Sequence, residues 1–430
     1  MVKVTAPRSA PEKKSFLFLQ GVSSPFFKHL AYKLEQDGHQ VHKVSFNGGD
    51  LAYWAPRTSR WFRGALSELP SFLAEIYRKF GITDQVLFGD RRPVHQRAVE
   101  AAHQNALRNH VFEEGYFRPY WITLEREGVN ARSQLPKDPD WYRRVGEQLL
   151  HAKDTLPVAQ PFKSAFWRRA GHDVLYHTAS ALNPLLFPAY RTHALSWAPD
   201  EYVGYVRRQI ETRLYTPSQQ RDFSHWLESI RKGGALYFLP LQLDSDFQVR
   251  DQLVLNSMSA VLEHVISSFA CHAPASSCLL VKNHPLDDGR VRYPTLLARL
   301  IQQYDLAGRV QYCEAGDLYQ ILACASGTVT LNSTVGSVAL EHGCPTLCLA
   351  DATYQLPGLT AQCGLDAFWT SLPAPDPLLF ASFKAVVLST TQVNGGFYCA
   401  QGIALAVQGS AQVLQAERSP LEVWISKSYA

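Results

Sequence analysis

No stretch of this 430-residue chain is apolar for long enough to cross a bilayer; the most apolar runs are broken by Glu263 and His264, or by Lys384. Met1 to Lys14 lack the apolar core of a signal peptide. The expectation is a cytoplasmic protein that stays on the side of the membrane where it is made. No cysteine precedes Cys271, no Cys-x-x-Cys occurs, and Cys344 and Cys348 have no second pair or nearby His to complete a zinc site. A reduced setting and no metal are therefore expected. An excess of either charge is also missing: 42 Lys plus Arg stand against 38 Asp plus Glu, a formal +4, so nothing argues for nucleic acid and any attraction to phosphate must be local. There is no internal repeat and no low-complexity tract.

What is present is apolar matter, 46% of the residues, on a chain too long for one ordinary core. An apolar run at Phe16–Leu19 leads through Gln20-Gly21 to a helical pattern ending near Asp37, then to the alternating Val41–Phe46, a βαβ unit. Val86–Phe88, a helical His95–Leu107 and Val111-Phe112 repeat that alternation, which predicts a parallel sheet. Asp138 to about Arg231 has no clean period and reads as helical decoration. Beyond Gly233-Gly234 the alternation resumes: strands at Ala235–Leu243, Cys278–Lys282, Val310–Cys313, Thr328–Leu331 and Pro345–Ala350, with helices over Leu253–Phe269, over Tyr293–Tyr304 and from Ser333. The predicted fold is α/β, two Rossmann-like parallel-sheet domains facing a cleft, of GT-B type, with additional helices. The expected divisions are residues 1–232, an acceptor-side domain with a helical insertion; 233–385, a nucleotide-sugar domain; and 386–430, a helical segment packing back on the first.

Three elements fall at predicted strand ends. Glu113-Glu114-Gly115 follows Val111-Phe112; adjacent carboxyls in a cleft repel, raising at least one pKa and leaving an acid or base near neutrality, although a solvated turn fits the tripeptide too. Lys282-Asn283-His284-Pro285 closes a strand, where His284 and Lys282 suit a phosphate and Pro285 fixes the histidine; a structural His-Pro is the alternative. Asn332-Ser333-Thr334-Val335-Gly336 opens a helix whose amides and hydroxyls can meet a phosphate or serve as a plain N-cap. Asp287-Asp288-Gly289 is an isolated acidic turn that proposes no metal.

These three elements together resemble the CMP-sugar transferases, in which the acidic motif supplies the base and the other two hold CMP. A finer resemblance is to the capsule polysaccharide β-Kdo transferases of the KpsS/KpsC type, formerly called capsule export proteins. It is carried by Phe16-Leu17-Phe18-Leu19-Gln20-Gly21, Phe26-Phe27, Phe46-Asn47-Gly48-Gly49-Asp50, Glu113 to Pro119, Trp121 to Glu125, Gly128-Val129-Asn130, Leu239 to Asp246, and the His-Pro and Ser-Thr elements. The single-unit KpsS type is nearest in length. The resemblance implies retaining transfer of Kdo from CMP-Kdo to a phosphatidylglycerol-type lipid, with no other cofactor. It assigns Glu114, with Glu113, as acid/base candidates, Asp246 as a nucleophile and Asp50 as an orienting group. Gln20, Gly21, Arg118 and Gln242 become substrate-binding candidates. Arg118 can pair with the Kdo carboxylate, or with Glu113 or Glu125.

A lipid acceptor implies a peripheral place on the inner membrane, an anionic phospholipid surface, and other capsule assembly proteins as partners. Trp54–Phe80 interleaves Arg57, Arg60, Arg63, Arg78 and Lys79 with aromatic residues, which suits that surface or a helix packed on its aromatic side. Two other readings stay open: a UDP-sugar transferase or epimerase, and a non-catalytic component of a capsule export complex.

Overall fold

The computed structural model describes residues 13–152, 156–191, 223, 225–227, 230, 233–243, 257–285, 287, 289–314 and 316–428. The chain divides into two compact units: Met1–Gln134 with Pro157–Arg191 and Leu388–Ala430, and Leu135–Leu156 with Thr192–Val387.

The first unit begins with β1 (Ser15–Phe18), α1 (Phe26–Gln36), β2 (Gln40–Ser45), α2 (Gly48–Trp54), β3 (Arg60–Trp61), α3 (Leu69–Phe80), β4 (Asp84–Phe88), α4 (Pro93–Gln104), β5 (Arg108–Glu114) and β6 (Trp121–Arg126). After α5 (Pro139–His151), which belongs to the second unit, it continues with α6 (Phe166–Ser180) and α7 (Asn183–Leu186). Its sheet runs β12-β6-β5-β4-β1-β2-β3, where β12 is Gln392–Asn394. Strands β1 to β5 pair in parallel; β6 pairs antiparallel with β5 and β12 antiparallel with β6. A buried parallel strand reads as a continuous apolar run, and β1 is one: Phe16 and Phe18 face α1 while Leu17 and Leu19 face α3 and α4. Each aromatic side chain buried there contributes about 1.5–3 kcal/mol.

The second unit holds β7 (Leu236–Pro240), α8 (Met258–His272), β8 (Cys278–Lys282), α9 (Tyr293–Gln303), β9 (Val310–Cys313), α10 (Leu318–Cys324), β10 (Gly327–Thr330), α11 (Thr334–Glu341), β11 (Thr346–Cys348), α12 (Leu365–Ser371) and most of α13 (Pro377–Thr390). All its strands are parallel, in the order β11-β10-β7-β8-β9. Tyr237 and Leu239 pack on α8, α9 and α12; Leu236 and Phe238 pack on α10. After β12 the chain ends in α14 (Ala400–Gln415) and α15 (Pro420–Ser428), and α14 lays Ile403, Ala406 and Leu414 on the α1 face of the first sheet.

The two-sheet α/β class is what the alternation of runs predicts, with three differences. First, β5 is followed by an antiparallel hairpin partner, β6, rather than by another parallel strand, and every residue of β6 is buried, its polar Thr123, Glu125 and Arg126 included. Second, α5 lies in the second unit, because Trp141, Tyr142 and Val145 are buried, Tyr142 against Phe383 with ring centroids 5.2 Å apart. The expected boundary at 232 is thus crossed by residues 135–156. Third, the segment after Val387, expected helical, includes β12 and closes the first sheet.

Candidate active site

Open α/β sheets bind ligands beyond the carboxyl ends of strands, where the order of connection reverses. In the second unit that point lies between β7 and β10, because β8 and β9 extend one way from β7 and β10 and β11 the other. Gln242 and Asn332 leave these two strands and bind each other: Gln242 Nε2 donates to Asn332 Oδ1 at 3.1 Å, and Asn332 N–H donates to Gln242 Oε1 at 3.3 Å. Asn332 Nδ2 also reaches Asp351 O at 3.5 Å. Ser333 is the N-cap of α11, its Oγ accepting from Val335 N–H at 3.2 Å, which leaves Thr334 in the first turn at the electropositive end. Any side chain at Gly336 would collide with the Tyr354 hydroxyl, which donates to Ser333 O at 2.5 Å and fixes the turn from behind.

One strand over, β8 ends at Lys282. Asn283, 2% exposed, shapes the turn beyond it: its Oδ1 accepts from His284 N–H at 2.8 Å, and its Nδ2 donates to Asp287 at 3.1 Å and to Glu314 at 3.2 Å. Burial pulls the Lys282 ammonium below its usual pKa, opposed by Cys313 and Glu314. His284 is half-buried and Pro285 exposed. Lys137, from the segment before α5, donates to Ala352 O at 2.6 Å and brings a cation to the loop that also binds Asn332; burial lowers its pKa as well. Tyr354 and Lys137 escape a sequence reading because each acts through a partner far away in the chain.

In the first unit the reversal lies between β1 and β4. Gln20 and Gly21, expected to touch substrate, follow β1, but Gln20 is fully buried and donates to Tyr176 Oη at 2.8 Å and Tyr190 Oη at 3.0 Å. Its amide nitrogen serves the packing of α6 and of the segment after α7, while its Oε1 has no hydrogen-bond partner, and Gly21 beside it is half-buried. For Asp50 the structure corrects the expectation of an orienting group. Asn47-Gly48-Gly49-Asp50 is a helix start rather than a free turn: Asn47 Oδ1 accepts from Asp50 N–H at 2.8 Å and Asp50 Oδ2 accepts from Phe46 N–H at 2.9 Å. The space beside Gly21, Lys43 and Asp50 is about 20 Å³, room for a water and not for a sugar. Gly48 and Gly49 are glycines because α6 lies on them; a Cβ at Gly49 would stand 2.5 Å from the Tyr176 ring.

Glu113 and Glu114 are both strand residues of β5, so their side chains leave opposite faces of the sheet. Adjacency in sequence does not make them a repelling pair. Glu113 shares its face with Glu125, through the pairing of Val111 with Glu125 and of Glu113 with Thr123. Glu114 faces Arg169 Nη1 at 3.5 Å and accepts from Tyr398 Oη at 3.3 Å. Arg169 lies 4.8 Å over the Tyr398 ring and also faces Asp173, whose carboxyl burial pushes up against the pull of Arg169 and His177. Glu114 is therefore a half-buried carboxylate held by a cation and a phenol, with a second carboxyl on the same cation. Arg169, Asp173 and Tyr398 carry no local motif that links them to Glu114.

Glu125 is 4% exposed; Tyr116 Oη donates to it at 2.6 Å and Ser133 Oγ donates to its other oxygen. Burial pushes its pKa up to about 7. Asp90, after β4 and 1% exposed, has its carboxyl raised by burial, and one of its oxygens has no hydrogen-bond partner. Arg118 is exposed, and Glu125, one of its expected partners, is taken up by Tyr116 and Ser133. Asp246 lies outside the described residues. Among the described residues no cluster of His, Cys, Asp or Glu is placed to hold a metal, and no helix is long and apolar enough to cross a membrane.

The fold and these strand-end residues define a two-unit, Rossmann-like α/β protein with polar groups gathered at the reversal point of each sheet. The chain belongs to the capsule polysaccharide biosynthesis protein family, whose model matches residues 83–398. It is 34% identical over 386 residues to the capsule polysaccharide export protein KpsS of Escherichia coli, covering 90% of this chain and 97% of that protein. It is 36% identical over 390 residues to the capsule polysaccharide modification protein LipB of Neisseria meningitidis serogroup B, covering 90% and 92%. Among solved structures, the β-Kdo 2,7 transferase of Thermosulfurimonas dismutans KpsC aligns over 93% of this chain and 100% of that one, at 13% identity and a TM-score of 0.42, too remote a likeness to argue from.

Proposed function

We propose that this chain is a retaining glycosyltransferase of GT-B type that moves Kdo from CMP-Kdo onto a phosphatidylglycerol-type lipid, starting the poly-Kdo linker of a capsule polysaccharide. It works at the cytoplasmic face of the inner membrane, beside other capsule assembly proteins. One observation carries the reading for a chain of this family: Gln242, Asn332, Ser333 and Thr334 meet at the reversal point of one parallel sheet, one strand away from Lys282 and His284.

That edge suits a nucleoside monophosphate. The α11 terminus and the Ser333 and Thr334 hydroxyls offer donors to one phosphate, and Lys282, Lys137 and His284 offer charge. A single phosphate needs no cation to neutralise it, so no metal is part of the proposal. Glu114 is the acid/base group that handles the acceptor proton, its carboxylate kept in place by Arg169 and Tyr398. Retention requires a carboxylate nucleophile or an internal return of the acceptor, and Asp246 stays the proposed nucleophile. Asp50 takes no part in this scheme, because its carboxylate is spent on the start of α2.

The test is incubation of the purified protein with CMP-Kdo and a fluorescent phosphatidylglycerol analogue. A product heavier by one Kdo supports the proposal. Turnover with a UDP-sugar alone, or no turnover by a folded chain that binds polysaccharide, overturns it.

A further inference from the structure

The expected membrane-facing stretch Trp54–Phe80 is occupied otherwise. Trp54, Phe62, Leu73 and Tyr77 are in the core, Arg57 binds Glu35 through two hydrogen bonds of 2.8 and 2.6 Å, and Arg60 lies over Phe80. Most of its aromatic side belongs to the fold; Trp61, 44% exposed, lies against Phe187 at the end of α7. Exposed apolar surface is found instead on α6 and α7: Trp167 is 63% exposed, Leu175 51%, Leu182 57% and Leu185 74%. At 100° per residue, Trp167, Gly171, Val174 and Thr178 share one line along α6, with Leu175 beside it. The opposite line carries buried Tyr176 onto Gly49. Residues 163–191 hold four Lys or Arg against one Asp, and that Asp173 sits toward Arg169. Arg63 joins this side, donating to Leu185 O at 3.1 Å.

Along the border of the strip runs a groove of about 820 Å³ between α1, α6 and the start of α14. Its walls carry His29 and Lys33 from α1 and Arg168 and His172 from α6, and no carboxylate lines it. Lys33 is shared with Asp37, at 2.5 Å just outside. The floor is apolar, with Ile403 and Ala404 on one turn of α14 and Val407 on the next. At one end stands Tyr398, whose hydroxyl binds Glu114. A surface with an apolar strip, a border bearing Lys33 and Arg168, and an apolar-floored trough complements an anionic amphiphile.

We propose that the α6–α7 strip docks the first unit onto a bilayer containing anionic phospholipid, and that the adjoining groove holds one such lipid, its chains along α14 and its phosphate among Lys33, Arg168 and the two histidines. Docking stands by itself; the groove's service as the acceptor's route to Glu114 rests on the transferase reading above.

Vesicles of phosphatidylglycerol and phosphatidylcholine, without donor, test the strip. The full chain sediments with these and not with pure phosphatidylcholine, and salt releases it. Joint replacement Leu175→Ser, Leu182→Ser and Leu185→Ser weakens partitioning by on the order of tenfold or more, with the melting temperature unchanged because all three are exposed. Wild-type partitioning of that variant overturns the proposal. So does a shift of the variant from dimer to monomer in light scattering with no vesicle binding by the parent, which makes the strip a contact between copies. Titration with monomeric dihexanoyl phosphatidylglycerol tests the groove: Ala404→Trp, at an exposed floor position, weakens binding by about tenfold or more. Equal binding by that variant, or glycerol phosphate binding as tightly as the lipid, overturns the groove. Since neither assay uses CMP-Kdo, a chain that binds lipid but transfers nothing contradicts the transferase reading alone.

Discussion

Glu125 offers a titration whose size is set by its surroundings. In an unfolded chain its carboxyl ionises near 4.5, and in the fold burial pushes this up to about 7. The neutral acid is thus the form the interior favours. The stability it confers is fully present below about 4.5 and is lost as pH rises through 7, because the unfolded state releases the proton first. At 1.36 kcal/mol per unit, the complete loss is on the order of 3 kcal/mol, of which about 2 kcal/mol falls between roughly pH 5.5 and pH 8.5. Glu125→Gln keeps the shape and a hydrogen-bonding partner for Tyr116 and Ser133, and carries no charge at any pH. The variant therefore gains on the parent as pH rises, by about 4 °C or more in the melting temperature of a unit this size across that interval. Calorimetric scans of both proteins at matched ionic strength measure it. Parallel curves for parent and variant would show that Glu125 ionises in the fold without cost, and the account of its burial would be wrong. Asp90 acts in the same sense, since burial raises its carboxyl as well and its charge lies near Glu125.

Glu114→Gln folds normally and loses transfer by roughly two orders of magnitude or more, because an amide neither takes nor gives the acceptor proton; near-parental turnover in the fluorescent-lipid assay removes Glu114 from the mechanism. His284→Ala weakens CMP binding by about 1.5–3 kcal/mol, and Thr334→Val acts the same way but less, read by calorimetry with CMP; unchanged affinity in both moves the nucleotide elsewhere. Gly48→Ala places a methyl against the Ala179 carbonyl and prises α6 from α2, costing about 1–3 kcal/mol in denaturant melts; a neutral outcome means that α6 does not pack there.

Much of the second unit could be read before folding. Strands such as Cys278–Lys282 and helices such as that starting at Thr334 lie where apolar runs, a Ser N-cap and a His-Pro break put them, because those signals act over a few residues. The same locality placed His284 and Ser333 at strand ends. It failed for β6, whose antiparallel return along β5 is fixed by pairing across the sheet, and for β12, whose three residues depend on a strand about 270 residues earlier. It misjudged Glu113-Glu114 because a turn and a strand end look alike until the partner strand extends the pairing to Glu114. It misjudged Asp50 because a carboxylate after a strand can face a ligand or brace its own helix start, and it could not show that α6 brings Tyr176 to the amide of Gln20. The sequence alone determines the two-sheet class and the elements at the strand ends, since these depend on neighbours within one turn. Tertiary structure alone decides that Arg169 and Tyr398 hold Glu114, that Gln242 meets Asn332 and that Glu125 titrates near 7. Each of these needs groups far apart in the chain to come together away from water, where burial and a nearby charge set what a side chain can do.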